Sequence, residues 1–410
     1  LFFRKFLIES IIFKCKEVRS GDENIIFVFV LLMVSLYGDN LQENTSANVT
    51  KTNLKTKSTK PIQTHSSHQK PQTLSIIMAG DALLHTNVYK DAQIAPTTSQ
   101  LDSSVLDSKI DSKLDSAKKT SESKIPESKT SKTFAPDSHI MDSHISDFST
   151  IESDLSIRYD FDKMFVCIAP IIKHYDLTFY NQETILVGKE LGLSSYPMFN
   201  SPQEFGDTML KLGFNLISAN NHTLNKGERG VVSMLEYWHK QQTKYLELYI
   251  AGSYQSFEDR NTPKIFEKNG ITYAMLAYTY GINGIMLPLG KEYLVNVYTK
   301  QMLQSDIESI RPKVDLLIVS MHWGIEYEFA PSEEQKNIAK MLASLGVDLI
   351  IGNHPHVIQP IEWIDHTLVV YSLGNFISGQ KGTNKRIGIL ASVKVEKKHG
   401  ASNFISQELI

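Results

Sequence analysis

The chain has 410 residues, enough for one large or two modest domains, and it is 41% hydrophobic with a formal net charge of −3, the composition of a globular protein. Near-balanced charge gives no basic field for nucleic acid. Only two cysteines are present, Cys15 and Cys167, far apart and in unlike surroundings, which excludes a disulfide framework and a cysteine-based zinc site. Any metal must therefore sit on His, Asp, Asn or Glu.

At the N-terminus, Arg4, Lys5, Lys14, Lys16 and Arg19 precede the apolar run IIFVFVLLMVSLY at 25–37, the order of a secretory signal. The run is about as long as a signal h-region and shorter than the roughly 20 residues of a membrane span. No small-x-small cleavage site follows, so 1–38 reads as a signal or an N-terminal membrane anchor, with a buried core strand or helix as the structural alternative. Residues 39–73 are a polar, low-complexity linker that buries too little apolar surface to offset its ordering entropy. A second such stretch, 97–152, contains SSVLDSKIDSKLDSAKKTSESKIPESKTSK and reads as a disordered insertion. It interrupts a folded domain spanning 74–410.

That domain alternates strands and helices. TLSIIMAGD (73–81) is an aliphatic run closing on Gly-Asp, FDKMFVCIAPIIKHYD (161–176) reads as a helix kinked by Pro170, and DLTFYNQE (176–183) as a strand. PQEFGDTMLKLG (202–213) is a helix capped by Gly213, FNLISANNH (214–222) a strand, ERGVVSMLEYWHKQQ (228–242) a helix and LELYIAG (246–252) a strand. KIFEKNGITYAMLAYTY (264–280) is a hairpin turning at Asn269-Gly270. A helix near 298–310, the strand VDLLIVSMH (314–322), the helix SEEQKNIAKMLASLG (332–346) with a cap at Ser332, and the strand VDLIIGNH (347–354) follow. HTLVVYSLGNF (366–376) and RIGILASVKVEK (386–397) close the series as strands. Strands that are apolar on both faces, alternating with helices, predict a layered α/β fold with some antiparallel pairing.

Five strands end alike. Asp81 follows IIMAG, Glu183 follows TFYNQ, Asn220, Asn221 and His222 follow LISA, His322 follows LIVSM, and His354 and His356 close IIGNHPH. The carboxyl ends of strands in open α/β sheets line one crevice, so these residues are expected to converge. His354 and His356, two apart, address one site if strand alternation continues through them. Imidazole and carboxylate without thiolate suit Mn, Zn or Fe, and the set is large enough for one or two divalent ions. Two ions about 3.5–4 Å apart turn water into hydroxide near neutral pH and clamp the oxygens of a transferred phosphoryl group. The loop after His322 brings Trp323 and Glu326 either to a substrate cleft or to a solvated connection. Gly374 and Asn375 mark either close backbone approach to the site or a tight turn.

The motifs MAGDALLH, FYNQETILV, ISANNHTLNKGERG, VSMHWGIEY, IIGNHPHVIQPIEW and VVYSLGNFISG, in this order, resemble the CapA family of bacterial capsule or poly-gamma-glutamate biosynthesis proteins. That family is similar to the calcineurin-like metallophosphoesterases. The resemblance covers 74–95 and 160–380. It implies a four-layer α/β/β/α metallophosphoesterase-like sandwich, with the metal site at the strand ends. It implies further that Asp81 is the first metal-binding acid, that Glu183 stands where the bridging acid stands, and that Asn221, His322, His354 and His356 are ligands. His222 becomes the candidate general acid, with His85, Asn220, Trp323, Glu326 and Asn375 as substrate contacts or support. Two departures bear on the site. Position 83 is Leu where phosphoesterases carry the His of Asp-x-His, so His85 reaches back only if a helical turn begins there; and Asn225 stands where the family usually has Asp. The resemblance implies a metal-dependent hydrolase outside the cytoplasm, secreted or anchored at the cell envelope, acting on an envelope polymer or phosphoester beside membrane-bound capsule synthesis machinery. A non-catalytic envelope component on the same fold is the alternative.

Overall fold

In a computed structural model of the chain, residues 8–13, 28–34, 72–94 and 156–397 are described. The insertion expected at 97–152 lies outside them, as do all but the last two residues of the 39–73 linker, and only two strands of the 1–38 segment fall inside. No helix among the described residues is long and apolar enough to cross a membrane. The chain divides into two units, 1–91 with 161–410, and 92–160. The second contributes a short antiparallel ladder, β4 (Gln93–Ile94) with β5 (Arg158–Tyr159).

The first unit is built on two sheets, with strands numbered along the chain. One sheet runs β1 (Ile8–Phe13), β2 (Val28–Val34), β16 (Ile387–Lys397), β3 (Gln72–Leu83), β6 (Leu177–Thr184), β7 (Leu216–His222) and β8 (Tyr249–Ala251), with β15 (Asn375–Ser378) beside the end of β3. The other runs β13 (Ile361–Ile364), β14 (Thr367–Val370), β12 (Leu349–Asn353), β11 (Leu316–His322), β10 (Ile271–Thr279) and β9 (Phe266–Lys268). β3, β6, β7 and β8 are parallel, as are β10, β11, β12 and β14, so each sheet gathers its strands' carboxyl ends along one edge.

Side-chain alternation explains how the sheets stack. Leu74, Ile76 and Met78 of β3, Leu177 and Phe179 of β6 and Leu216 of β7 share one buried core with Tyr273 and Met275 of β10, Leu316 and Ile318 of β11, and Leu349 and Ile351 of β12. The alternate residues of the second sheet, among them Leu317, Val319 and Ile350, pack under the helices Lys300–Ile310 and Glu333–Ser344 through Leu303, Ile307, Ile338 and Leu342. On the outer face of the first sheet, Tyr180 meets Phe205 of the Gln203–Leu212 helix and Phe376 stacks on Phe165. The layers are therefore helix, sheet, sheet and helix, the expected α/β/β/α order. Fully burying one such aliphatic side chain contributes about 1.5–3 kcal/mol, so these rows are the main source of stability.

Local signals hold in several places. Gly213 ends its helix at φ 109, in the left-handed region. Ser332 and Gln335 form a capping box. Lys268 pairs with Ile271 across Asn269 (φ 54) and Gly270 (φ 78), the two positive φ values of a type I′ turn.

Other expectations are corrected. The 161–176 stretch is two short pieces, Asp162–Phe165 and Ala169–Ile172, and Pro170 opens the second, where its missing N–H leaves no bond unmade. The strand expected over 366–376 is two strands in different sheets. β14 ends at Val370, the chain crosses at 371–374 with Gly374 at φ 73, and β15 then pairs with β3.

Candidate metal centre

The inner-face rows that form the core turn polar at their carboxyl ends. On β6, Leu177 and Phe179 give way to Asn181 and Glu183; on β11, Leu316 and Ile318 give way to Ser320 and His322; on β12, Ile351 is followed by Asn353. β3 needs a correction of phase, because Met78 and Asp81 differ in parity. A register shift between those residues supplies it. A second shift lies between Gln182 and Thr184 opposite β7, so Asn220, Asn221 and His222 do not simply alternate.

The polar ends meet in a closed cluster. His356 Nδ1 lies 3.1 Å from Asp81 Oδ2, and the backbone N–H of His354 donates to the same oxygen at 3.2 Å. Glu183 Oε1 is 3.6 Å from His356 Nε2 and 3.7 Å from His322 Nε2, and His322 Nε2 is 3.2 Å from His354 Nδ1. Three ligand groups overlap here: Asp81, Glu183 and His356; Glu183, His322 and His354; and Glu326, His354 and His356. Glu183 belongs to the first two. Both of its oxygens are buried without a hydrogen-bond partner among the described residues, as is Asn221 Oδ1. Leaving buried oxygens without a hydrogen bond is expensive, so these oxygens fit a cation.

Charge in the cluster follows from burial and proximity. Burial holds the Glu183 carboxyl well above the usual carboxylate range, with Asp81 adding to the rise and His356 opposing it. Burial pushes His354 down to about 3 and His322 well below the ordinary imidazole value, and neighbouring histidines push both further. Burial also lowers His356, but Glu183 and Asp81 outweigh it and hold the ring at about 9.

His222 sits to one side. The backbone N–H of Phe199 donates to Asn225 Oδ1 at 2.8 Å, which fixes the amide's orientation, and His222 Nδ1 lies 2.7 Å from that oxygen. The Asn225 contact places the hydrogen on Nδ1 and leaves Nε2 bare, while Asn283 Nδ2 lies 3.2 Å from Nδ1 and 3.3 Å from Nε2. Burial pushes His222 down to about 4, the Asn225 contact opposing.

With this geometry, comparison with known proteins is informative. A family model described as bacterial capsule synthesis protein PGA_cap matches residues 75–380. The chain belongs to that family. It is 34% identical over 197 residues, 46% of this chain and 48% of the relative, to the PGA biosynthesis protein CapA of Bacillus subtilis. It is 26% identical over 238 residues, 56% of this chain and 57% of the relative, to the capsule biosynthesis protein CapA of Bacillus anthracis. The chain thus spans about half the length of the curated relatives it matches. Among solved structures it is similar to the calcineurin-like phosphoesterase YfkN of Bacillus subtilis, at 16% identity and a TM-score of 0.37, over 83% of this chain and 91% of that one.

Within this PGA_cap domain, the sequence-derived ligands Asp81, Glu183, His322, His354 and His356 are brought together. The route differs from expectation for two of them. β12 stops at Asn353, and His354 (φ 98) and His356 (φ 58) stand in a turn of left-handed backbone, so a turn rather than strand alternation aims both rings. Asn375 Oδ1 is 3.0 Å from His356 Nδ1, and Asn220 Nδ2 donates to Asn181 Oδ1 at 2.6 Å. Glu326 is exposed but within ligand reach of His354 and His356. His85 joins none of the ligand groups found among the described residues. The helical turn begins one residue later, at Thr86, and the His85 ring packs edge-on against Phe199, which contacts His222 on its other side. Trp323 does not line a cleft: it is fully buried, donates Nε1–H to Tyr371 O at 3.0 Å, and stacks on that ring within the helix-covered core.

Sequence reasoning missed Asn181. Its Nδ2 donates to Asp81 Oδ1 at 2.7 Å and lies 3.3 Å from His322 Nδ1, while its Oδ1 accepts from Ser218 and Asn220 at 2.6 Å each. It ties a carboxylate of the first sheet to an imidazole of the second. Its place two residues before Glu183, on the same face of β6, was the available signal. Tyr280, whose ring centroid is 4.6 Å from that of His354, was missed as well.

Proposed function

We propose that this chain is a metal-dependent hydrolase of phosphoesterase type, acting at the cell envelope in the biosynthesis of a capsule or poly-gamma-glutamate-type polymer. The observation that carries this reading is Glu183, shared by two ligand groups with both oxygens buried and without a hydrogen-bond partner among the described residues. One cation would be held by Asp81, Glu183 and His356 and a second by Glu183, His322 and His354, with Asn221 Oδ1 as a further oxygen donor. Nitrogen and oxygen donors without thiolate suit Mn, Zn or Fe. Divalent cations in such a site supply Lewis acidity toward a phosphoryl oxygen and lower the pKa of a water.

The remaining residues position and move protons. Asn181 orients Asp81 and His322 from behind, and Asn375 does the same for His356. Tyr280 covers the His322 and His354 rings, which narrows access of bulk water. His222, neutral near pH 7 with Nε2 bare, accepts a proton from a reacting group or water before it returns one to a leaving oxygen. The names of the curated relatives support a role in making a capsule or PGA; a polymer or phosphoester substrate, and membrane-bound synthesis machinery as the partner, belong to the same proposal. The absence of a carboxylate beside His222, where Asn225 stands, favours a second reading: a metal-holding envelope component that hydrolyses nothing.

Metal analysis and hydrolysis of bis(p-nitrophenyl) phosphate separate the two. Full-length protein loaded with Mn or Zn is expected to hold close to two ions and to cleave the diester. His354→Ala should lower the rate by at least about 10–100-fold, the range seen when even a ligand's outer-shell partner is disturbed. Two ions without hydrolysis support the second reading, and a chain that takes up no divalent ion overturns both.

A further inference from the structure

A groove beside the candidate metal centre plays no part in the chemistry above. It is an open groove of about 500 Å³, within the range of about 300–1,000 Å³ typical of ligand pockets and far more than one inorganic anion fills. Tyr327, Phe329 and Val357 give it an apolar wall, Lys381, Thr383 and Lys385 a basic one, and no lining residue is acidic. Some lysines of the fold are neutralised by a carboxylate and these two are not. Lys189, Lys268, Lys336 and Lys397 are each paired with a carboxylate, whereas neither Lys381 nor Lys385 forms an ion pair among the described residues. Lys385 is half-buried, with Nζ 4.3 Å from the centroid of the Tyr327 ring, a cation–π contact that holds the ammonium at the pocket wall without neutralising it.

The pocket is tied to the metal ligands by hydrogen bonds. Asn375 contacts His356 through Oδ1, and its Nδ2 donates to Lys385 O at 2.8 Å and to Gln380 Oε1 at 3.0 Å. Gln380 Nε2 donates to the Tyr327 hydroxyl at 3.3 Å, and the Tyr327 ring lies 6.1 Å from that of His356. Tyr327 N–H donates to Pro355 O, between the two ligand histidines, at 2.8 Å. One wall therefore serves both sites. An occupant must present anionic oxygens to the lysines and an aliphatic or planar stem to Tyr327, Phe329 and Val357, and it must be long enough to continue toward the metal centre.

We infer that the pocket walled by Lys381, Lys385 and Tyr327 is an anion subsite, holding the charged unit of a polyanionic chain next to the group that reacts at the metal centre. The inference rests on the hydrolase reading for what reacts, but not for what binds. Carboxylates of a polyacid and phosphates of a polyphosphate share the required chemistry.

Binding isotherms on full-length protein test it, with fluorescently tagged oligomers of gamma-linked glutamate and of phosphate as the two probes. The double variant Lys381→Gln with Lys385→Gln should weaken one or both probes by roughly 5–30-fold, the scale of two partly exposed ion pairs. Added salt should weaken the wild type more than the variant. Lys340→Gln, an exposed lysine on another element, serves as the matched control and should change nothing. Loss confined to the glutamate oligomer assigns carboxylate, loss confined to the phosphate oligomer assigns phosphate, and either supports the subsite. Wild type that binds neither probe, or a double variant that binds both as tightly as wild type, overturns it. Diester hydrolysis measured on the same wild-type protein reports the hydrolase reading separately: if hydrolysis is absent while the lysine variants still lose the probe, the subsite stands and the hydrolase reading falls.

Discussion

The backbone N–H of Phe199 settles which way the Asn225 amide lies, and that amide settles which nitrogen of His222 is bare. Replacing Asn225 by Asp keeps an oxygen in place and adds a charge that the buried ring now lacks. An adjacent carboxylate raises an imidazole pKa by roughly 1–3 units, so Asn225→Asp should move His222 up from about 4 to roughly 5–7, where it holds a proton in mildly acid solution. Ring-proton chemical shifts against pH read this directly, and an unmoved midpoint would sink the assignment of Asn225 as the residue that sets His222. Trp323 carries a prediction of the opposite kind. Because it is fully buried against Tyr371, Trp323→Ala should destabilise the fold by about 3–5 kcal/mol in denaturant unfolding. Diester hydrolysis by the fraction that stays folded should change little. A substrate-cleft role would give the reverse pattern.

At the scale of elements, the site depends on how closely backbones approach behind it. A Cβ on Gly352 would stand 2.0 Å from Tyr371 O and 2.6 Å from Trp323 Nε1, and one on Gly80 would stand 1.9 Å from Gly374 O. Gly80 immediately precedes Asp81 and Gly352 stands two residues before His354, so β12 and β3 present their ends only because these residues lack side chains. Gly352→Ala should therefore cost at least about 1–3 kcal/mol by overpacking and reduce divalent-ion stoichiometry, whereas a helix-surface change such as Lys340→Gln should do neither. Ion content per folded chain, after gel filtration, is the readout. The Gly213 helix end, the Asn269-Gly270 turn, the Ser332 cap and the polar strand ends were all legible in the sequence, because each is a local signal with a local cause. The register shift that brings Asp81 into phase, the left-handed turn at His354 and His356, and the crossing between β14 and β15 were not. They are fixed by contacts between segments far apart in the chain: Asp81 N–H on Gly374 O, and His354 N–H on Asp81 Oδ2. Trp323 was misread for the same reason, since a loop-like sequence does not reveal that Tyr371 closes over it.

For the whole molecule, the candidate metal centre draws its residues from both sheets of the sandwich, and cations bound there would act as a clasp between them. Asp81 and Glu183 come from the first sheet, and His322, His354 and His356 from the second or from the turn that follows β12. Cations held there join the two sheets, and anything that binds the folded chain alone stabilises it by RT ln(1 + [L]/Kd), about 2.7 kcal/mol at a hundredfold excess over Kd. The proton on His356 competes for the same place. Its folded-state pKa of about 9 stands above the ordinary imidazole value of 6.5. Without metal, protonated His356 therefore contributes stability that is full below about 6.5 and lost as pH rises through about 9. With metal the sign reverses, because a ligating imidazole must shed that proton, so apparent affinity should rise by up to about tenfold per pH unit until about pH 9 and then level. The melting-temperature increase produced by a fixed, subsaturating Mn or Zn concentration should accordingly be larger at about pH 8.5 than at about pH 6.5. In His356→Ala both the increase and its pH dependence should shrink. An increase that is the same at both pH values in wild type would show that no proton leaves His356 when the sheets are joined.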